Sequence, residues 1–160
     1  MGLTRRLLAH DAWATRVLLD RCRALPTEQF HARLDIGPGS LHDTFRHIVG
    51  AVRRWTDRLA DRPLRPRLEE SGPYAPDELL ALLDEAAREF AEVALCIEQQ
   101  GRLDESLQAP LVGAFTPGTA IVHVAAHGVH HRAQVLNMLR RLGATDLPDV
   151  DPISWEQQTR

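Results

Sequence analysis

Half of the eight histidines in this 160-residue chain lie in one short apolar stretch, 122-VHVAAHGVHHRAQVLNML-139. They are His123, His127, His130 and His131. Neutral imidazole is a common ligand for divalent transition metals. Two histidines four residues apart on a helix can reach one such ion. The stretch therefore predicts either a metal site or a group of rings that find other hydrogen-bond partners.

The direction of each histidine follows from helix geometry, about 100° per residue. With His127 at zero, His131 lies at about +40°, His123 at about −40° and His130 at about −60°, while the apolar stripe is centred near +60°. His127 and His131 are thus predicted to face the core, and His123 and His130 to lie toward its edge. Because an unpaired buried polar group costs about 1–3 kcal/mol, the two inward rings need a carbonyl, a carboxylate or a metal.

A metal site with an open position uses three protein ligands, so a third ligand must come from another segment. The remaining histidines are His10, His31, His42 and His47. His31 lies in a loop-like stretch and His42 in the first turn of a predicted helix. Helical geometry leaves both His10 and His47 as candidates and does not choose between them.

Two charged residues near these histidines each have two interpretations. Asp11, beside His10, either orients a ligand histidine or pairs with an arginine, and the second is the more common role of a carboxylate on an apolar face. Arg132, directly after His131, either clamps an anionic substrate or faces solvent or a partner subunit. No carboxylate has a spacing that marks it as a general base, so no catalytic residue is predicted.

Four long segments with helical periodicity must position these side chains. They span 2–25, 40–61, 76–100 and 118–143, and Pro and Gly separate them. Ser40 and Asp43 resemble a capping box. The stretch 103–118 has no helical period, although LVGAF fits a short extended piece. The tail 144–160 is expected to pack as an irregular arm through Ile153 and Trp155, with room for one helical turn. The pattern predicts an all-α helical bundle in a single domain, residues 1–160.

The bulk composition excludes several classes of protein. The formal net charge of −3 and the pI of about 6.2 argue against a nucleic-acid partner or an anionic membrane surface. No run approaches the roughly 18 apolar residues of a membrane span, and no apolar stretch follows the early Arg pair as in a signal peptide. We therefore expect a cytoplasmic protein. Cys22 and Cys96 both fall in apolar helical pattern and are expected to be inert core thiols.

Three motifs, in order, resemble the DinB-like (DinB/YfiT) family of metal-dependent enzymes. The stretch 7-LLAHDAWATRVLLDRCRALP-26 is similar to the first helix of that family, and 39-GSLHDTFRHIVGAVRRWTDRL-59 to its second-helix motif. The stretch 127-HGVHHRAQVLNMLRRLG-143 resembles its fourth-helix signature, His-x-x-x-His-Arg followed by Gln and a run ending in Leu-Gly. The resemblance covers about residues 3–143.

The resemblance implies a fold and a metal site. The fold is an up-down-down-up four-helix bundle, often dimeric, and its long crossover would fall at 62–75. The metal ligands would be His47, His127 and His131, so the resemblance selects His47 over His10. His130 stands where many relatives have Tyr or another residue. It is either an additional ligand or acid/base beside the three histidines or a ring at the helix edge, and the second is expected. Three imidazoles suit Zn, Ni or Fe(II) better than Mg or Ca.

The resemblance also implies a function, namely a metal-dependent enzyme acting on a small molecule. Some relatives are transferases or isomerases that use a low-molecular-weight thiol, and others are described as metal-dependent hydrolases. The alternative is a stress-response module that binds a metal without catalysis, and the plainest interpretation is a bundle whose histidines have ordinary hydrogen-bond partners. The expected assembly is a homodimer.

Overall fold

A computed structural model describes residues 1–159, and four long helices dominate it. They are α1 (Leu3–Cys22), α3 (Leu41–Leu59), α4 (Pro76–Gln99) and α5 (Pro117–Arg141), with short helices α2 (Thr27–Phe30) and α6 (Pro152–Thr159). Strands β1 (Leu107–Ala109) and β2 (Gly113–Phe115) form an antiparallel hairpin between α4 and α5. The all-α prediction is confirmed, and all four long helices lie where the periodicity placed them.

Local sequence explains where these helices begin. The Ser40 side chain accepts a hydrogen bond from the Asp43 amide, which satisfies one free N–H at the start of α3. The reciprocal half of the predicted capping box is not formed, because Asp43 instead faces Arg33, His42 and Arg46. Pro76 opens α4, and the Glu78 carboxylate accepts from the Ala75 amide.

Contacts between helices give their relative directions. Thr4 meets Glu98 and Arg23 meets Asp77, so α1 and α4 run antiparallel. Likewise α3 and α5 are antiparallel, because early α3 contacts late α5 and late α3 contacts early α5. The pairs are Thr44 with Met138, and Trp55 with His123. These directions, together with the next connection, agree with the predicted up-down-down-up order.

The connection 62–75 joins α3 to α4 as the predicted crossover, because the two helices run in the same direction. The start of α3 lies near the start of α4, where His42 Nε2 accepts from the Tyr74 amide. The end of α3 lies near the middle of α4, where Arg62 and Arg65 both pair with Glu89. A single 3-10 turn, Leu68–Glu70, lies within this crossover.

The core is apolar and receives side chains from every long helix. The largest fully buried apolar side chains are Phe30, Phe45, Leu18, Leu19, Leu41, Ile48, Leu79, Met138, Leu139, Val49 and Val135. Within residues 1–159, no helix combines the length and apolar character that a bilayer crossing requires.

Two expectations about irregular segments need correction. In the tail, Trp155 is buried as expected, but Ile153 is 65% exposed, since the tail forms α6 and only one of its faces meets α1. Arg160, the last residue of the predicted arm, lies outside the described residues. In LVGAF, only Gly113–Phe115 is extended, because Leu111 and Val112 form the hairpin turn.

Asp57 fastens the crossover to the end of α3. Its buried carboxylate accepts hydrogen bonds from the Arg65 amide at 2.9 Å and from Arg62 Nε at 2.7 Å. Burial opposes ionisation of Asp57, but these hydrogen bonds and the Arg65 and Arg62 charges outweigh it, so the pKa of Asp57 is lowered.

We expect Asp57→Asn to lower the free energy of unfolding by about 2 kcal/mol, because it weakens charge-assisted hydrogen bonds to two arginines. Since the folded pKa is lowered, the contribution of the carboxylate is complete above the unfolded pKa and is lost as the pH falls through the folded value. Urea unfolding at pH 7 and near pH 3 measures both effects.

The matched control is Asp84→Asn. Asp84 pairs with Arg16 at the surface, where its side chain is 56% exposed, and such pairs contribute about 0–1 kcal/mol. Equal losses in the two variants would contradict the role assigned to Asp57.

Candidate metal centre

Three histidines from two helices converge at one point of the bundle. His47 comes from the middle of α3, and His127 and His131 lie one turn apart on α5. One ring nitrogen from each lies within 4.8 Å of the other two. The ring centres are 4.9 Å apart for His47 and His127, 4.7 Å for His47 and His131, and 4.3 Å for His127 and His131. The set is the one that the family resemblance implied.

His47 is oriented by a carboxylate from the crossover. Its Nδ1 donates to Glu69 Oε1 at 2.8 Å, which leaves Nε2 with its lone pair toward the other two rings. Arg46, the preceding residue, holds the turn that carries Glu69, because its Nε and Nη2 donate to the Leu68 carbonyl at 3.1 and 2.7 Å. The crossover therefore supplies the partner that fixes the tautomer of His47.

His131 is oriented from its own helix. Its Nδ1 donates to Gln134 Oε1 at 2.8 Å, and the Gln134 amide nitrogen donates to His130 Nε2 at 3.0 Å. The amide is thus held from both ends, and His131 keeps Nε2 free as a ligand. Gly37 lies against the Gln134 side chain, and its φ of +51° is a left-handed backbone conformation that favours glycine.

Electrostatics keep two of these rings neutral. Burial is the largest cause that lowers the pKa of His127, and together with the neighbouring His131 and His47 it brings that pKa to about 3. Burial also lowers the pKa of His131, although the hydrogen bond to Gln134 opposes this. Both rings are therefore uncharged at neutral pH, which is the form in which imidazole binds a metal.

The donor set fits a transition-metal ion. His127 Nε2 donates a hydrogen bond to His47 Nε2 at 3.0 Å. In the other neutral tautomer of His127, both Nε2 lone pairs are free to bind one cation. Nitrogen ligands in this number suit Zn, Ni or Fe(II) rather than Mg or Ca.

The other candidate residues have different roles. His10 is buried on α1, and its Nε2 donates to the Val150 carbonyl at 2.8 Å, so it holds the C-terminal arm. His130 is exposed at the helix edge, as expected, and does not join the three rings. His123 is also exposed, with its ring 5.1 Å from that of Trp55.

Asp11 and Arg132 pair with each other. Arg132 Nη1 donates to Asp11 Oδ1 at 2.5 Å and to Thr15 Oγ1 at 3.0 Å, and Arg132 is only 3% exposed. The favoured interpretation of Asp11 is therefore confirmed, and the expectation that Arg132 faces solvent or a partner is wrong. Burial raises the pKa of Asp11, against the opposing charge of Arg132.

Neither cysteine of the chain contributes a thiol to this site. Cys22 lies in the apolar core, where burial raises its pKa to about 12. Cys96 is exposed on α4 and accepts a hydrogen bond from Gln100, so the expectation of a core position for Cys96 is wrong.

Glu69 and Gln134 were not predicted as part of the site. Gln134 lies three residues after His131, and the i, i+3 spacing on one helix is a signal that could have found it. Glu69 lies in a crossover without periodicity, so only the tertiary structure reveals its place.

An open cavity of about 250 Å³ borders two of the three rings, those of His47 and His127. Its lining also includes Glu69, Trp55 and several arginines. A small molecule in this cavity would lie against two of the three histidines.

Comparisons with known proteins find similarity along most of the chain. A family model described as "DinB family" matches residues 1–158. A protein named "Protein DinB" from Bacillus subtilis (strain 168) is 22% identical over 151 residues, which covers 89% of this chain and 88% of that protein. The similarity thus spans nearly the full length of both chains.

We expect Gly128→Ala to destabilise the fold by about 1–3 kcal/mol, as overpacking does in a well-filled core. A Cβ there would lie 2.3 Å from Asp11 Oδ1 and 2.7 Å from Arg132 Nη1. Elsewhere in a helix the same change stabilises by about 1 kcal/mol through helix propensity. Chemical denaturation measures the sign of the change in the free energy of unfolding.

The matched background is the double variant Asp11→Ala, Arg132→Ala, in which the obstructing atoms are gone. There Gly128→Ala should become neutral or stabilising. An equal loss in both backgrounds would show that contact with the ion pair is not the reason for glycine at this position.

Proposed function

The chain belongs to the DinB family, and on that premise we propose that it is a metal-dependent enzyme acting on a small molecule at His47, His127 and His131. The observation that carries the proposal is the convergence of three ring nitrogens within 4.8 Å, two of the rings having their other nitrogen hydrogen-bonded elsewhere. Three protein ligands leave a divalent ion at least one open position, which is the arrangement of catalytic rather than structural sites.

The proposed cofactor is Zn, Ni or Fe(II). When bound with an open position, such an ion supplies Lewis acidity that activates a water molecule or a thiol. His47, His127 and His131 would hold it, while Glu69 and Gln134 keep the rings in the ligand tautomer.

The proposed reaction is transfer of a low-molecular-weight thiol to an electrophilic carbon. Cys22 is buried with a raised pKa and Cys96 lies on α4, so the thiol would come from a substrate. The carboxylate of Glu69 is already engaged by His47, so the residues that line the cavity include no free carboxylate as a general base. A thiol activated by the ion requires no such base, and this favours transfer over hydrolysis.

Metal binding tests the site itself. We expect metal-stripped protein to bind one Zn²⁺ or Ni²⁺ per chain in isothermal titration calorimetry. His127→Ala should weaken binding by more than about 100-fold, because it removes a direct ligand. Glu69→Gln should weaken binding by about 10- to 100-fold, as loss of a carboxylate partner of a ligand histidine does.

The control is His31→Ala, which removes an imidazole near His42 and Phe30, away from the three rings. It should leave the affinity unchanged. If His127→Ala binds the ion as tightly as the wild type, the proposed centre is wrong.

A turnover assay tests the proposed enzymatic activity. We expect the metal-loaded protein to accelerate attack of a low-molecular-weight thiol on a chloronitroarene, with a C–S bond formed, chloride released and the thiol proton passed to solvent. The rate should vanish in His131→Ala and persist in His31→Ala.

The same assay distinguishes the alternative functions. Metal binding without turnover of any thiol in a broad panel would favour a binding module. Turnover of ester or amide substrates without thiol would favour a hydrolase.

A further inference from the structure

The cavity beside the three histidines has an arginine-rich wall. Arg54, Arg58 and Arg67 line it together with Trp55 and His123. The one carboxylate among its lining residues is Glu69, and that group accepts a hydrogen bond from His47. The cavity is therefore strongly cationic although the chain as a whole carries a net charge of −3.

Most arginines in the described part of the chain form an ion pair with a carboxylate, but two arginines of the cavity do not. Within the described part of the chain, neither Arg54 nor Arg58 forms an ion pair, whereas nearby Arg62 and Arg65 share Asp57 and Glu89. Arg54 Nη1 donates only to the Arg65 carbonyl, at 3.2 Å. A guanidinium beside a cavity and without a carboxylate can bind an incoming anion.

Arg58 gives the strongest evidence for an anion-binding site. Across residues 1–159, its Nε is the buried side-chain polar atom without a hydrogen-bond partner. Buried polar groups are nearly always hydrogen-bonded, so this exception requires an explanation, and a ligand that binds beside Arg58 provides one. Burial and the charge of Arg54 lower the pKa of Arg58, the charge of Asp57 opposes them, and an anion bound in the cavity would act in the same direction as Asp57.

The Arg58 guanidinium is held in place before any ligand arrives. Its Cζ lies 5.0 Å from the centre of the Trp55 ring, within cation–π distance. Trp55 in turn packs edge-on against Phe115 of the hairpin at 5.5 Å and against His123 at 5.1 Å. Preorganised binding groups lose less entropy when they bind.

We propose that Arg54 and Arg58, with Arg67 beside them, bind the anionic group of the substrate, a carboxylate or a phosphate ester. His47 and His127 border the same cavity, so the anionic group would lie near the reacting atom. This part of the inference rests on the proposed function. The substrate would thus be a small molecule with an anionic group a few ångströms from its thiol or electrophilic centre. Arg132, which the sequence suggested as a clamp for an anionic substrate, instead forms an ion pair with Asp11.

The test uses metal-stripped full-length protein, so that it does not depend on a bound ion. Succinate and inorganic phosphate are titrated at low ionic strength by isothermal titration calorimetry. We expect saturable binding that R54Q and R58Q each weaken by about 10- to 100-fold, the cost of losing hydrogen bonds to a charged group. R58K should fall between R58Q and the wild type, because it keeps the charge but loses the planar fork.

The matched control is R88Q, which removes the same charge from an exposed position on α4 outside the cavity. It should leave the affinity unchanged. Tighter binding of succinate would assign a carboxylate, and tighter binding of phosphate would assign a phosphate ester. Unchanged affinity in both R54Q and R58Q, or an equal loss in R88Q, would overturn the inference.

A parallel Ni²⁺ titration of R58Q separates this inference from the proposed function. Loss of anion affinity with normal metal binding supports the arginine site. Anion binding that depends on Arg58 in a chain that binds no metal would leave the arginine site standing and the proposed function refuted. Metal binding without any arginine-dependent anion affinity would refute the arginine site alone.

Discussion

The close contact between the middle of α3 and the middle of α5 is the constraint on which the site depends. Three rings are brought together there, with two Nε2 atoms 3.0 Å apart. Neither helix supplies a triad by itself, because α5 offers two rings on one face and α3 offers one. The antiparallel packing of the two helices sets the ring separations, and the core residues Phe45, Ile48 and Val135 on either side maintain it. A shift of one turn along either helix would displace its ring nitrogens by about 5.4 Å and break this convergence.

The long crossover between the parallel helices α3 and α4 completes the site. Such a connection carries little structure of its own, so specific polar contacts must hold it. Asp57 fastens its beginning through Arg62 and Arg65, and Arg46 fastens its middle through the Leu68 carbonyl. These contacts fix the conformation of the crossover, so that Glu69 lies within hydrogen-bond distance of His47. The stability of the crossover and the orientation of the His47 ring are therefore coupled, because the turn that Arg46 holds also carries Glu69.

Much of this architecture could be predicted from the sequence, and the rest could not for physical reasons. The four helices follow from apolar periodicity, and the inward direction of His127 and His131 follows from the helical angle. The choice of His47 over His10 required the resemblance to a family, because both lie near apolar stripes and only tertiary packing distinguishes them. Glu69 was out of reach, since a crossover has no periodicity. Arg132 was misplaced because its helix position did not reveal that Asp11 of α1 and the small Gly128 leave room for a buried ion pair.

The contrast between two kinds of arginine connects the fold with the site. Arg132 is buried against a fixed carboxylate, so its charge is neutralised within the bundle and serves packing. Arg58 is held over Trp55 without a carboxylate, so its charge remains available at the cavity. A divalent ion on the three neutral imidazoles would add further positive charge to the same region, and Glu69 offsets only part of it. An anionic ligand would reduce this repulsion, and linkage then requires that the ion favour the anion as much as the anion favours the ion. On the proposal made above, the unpaired arginines and the three histidines are two parts of one site, and the bound molecule supplies the negative charge that the site lacks.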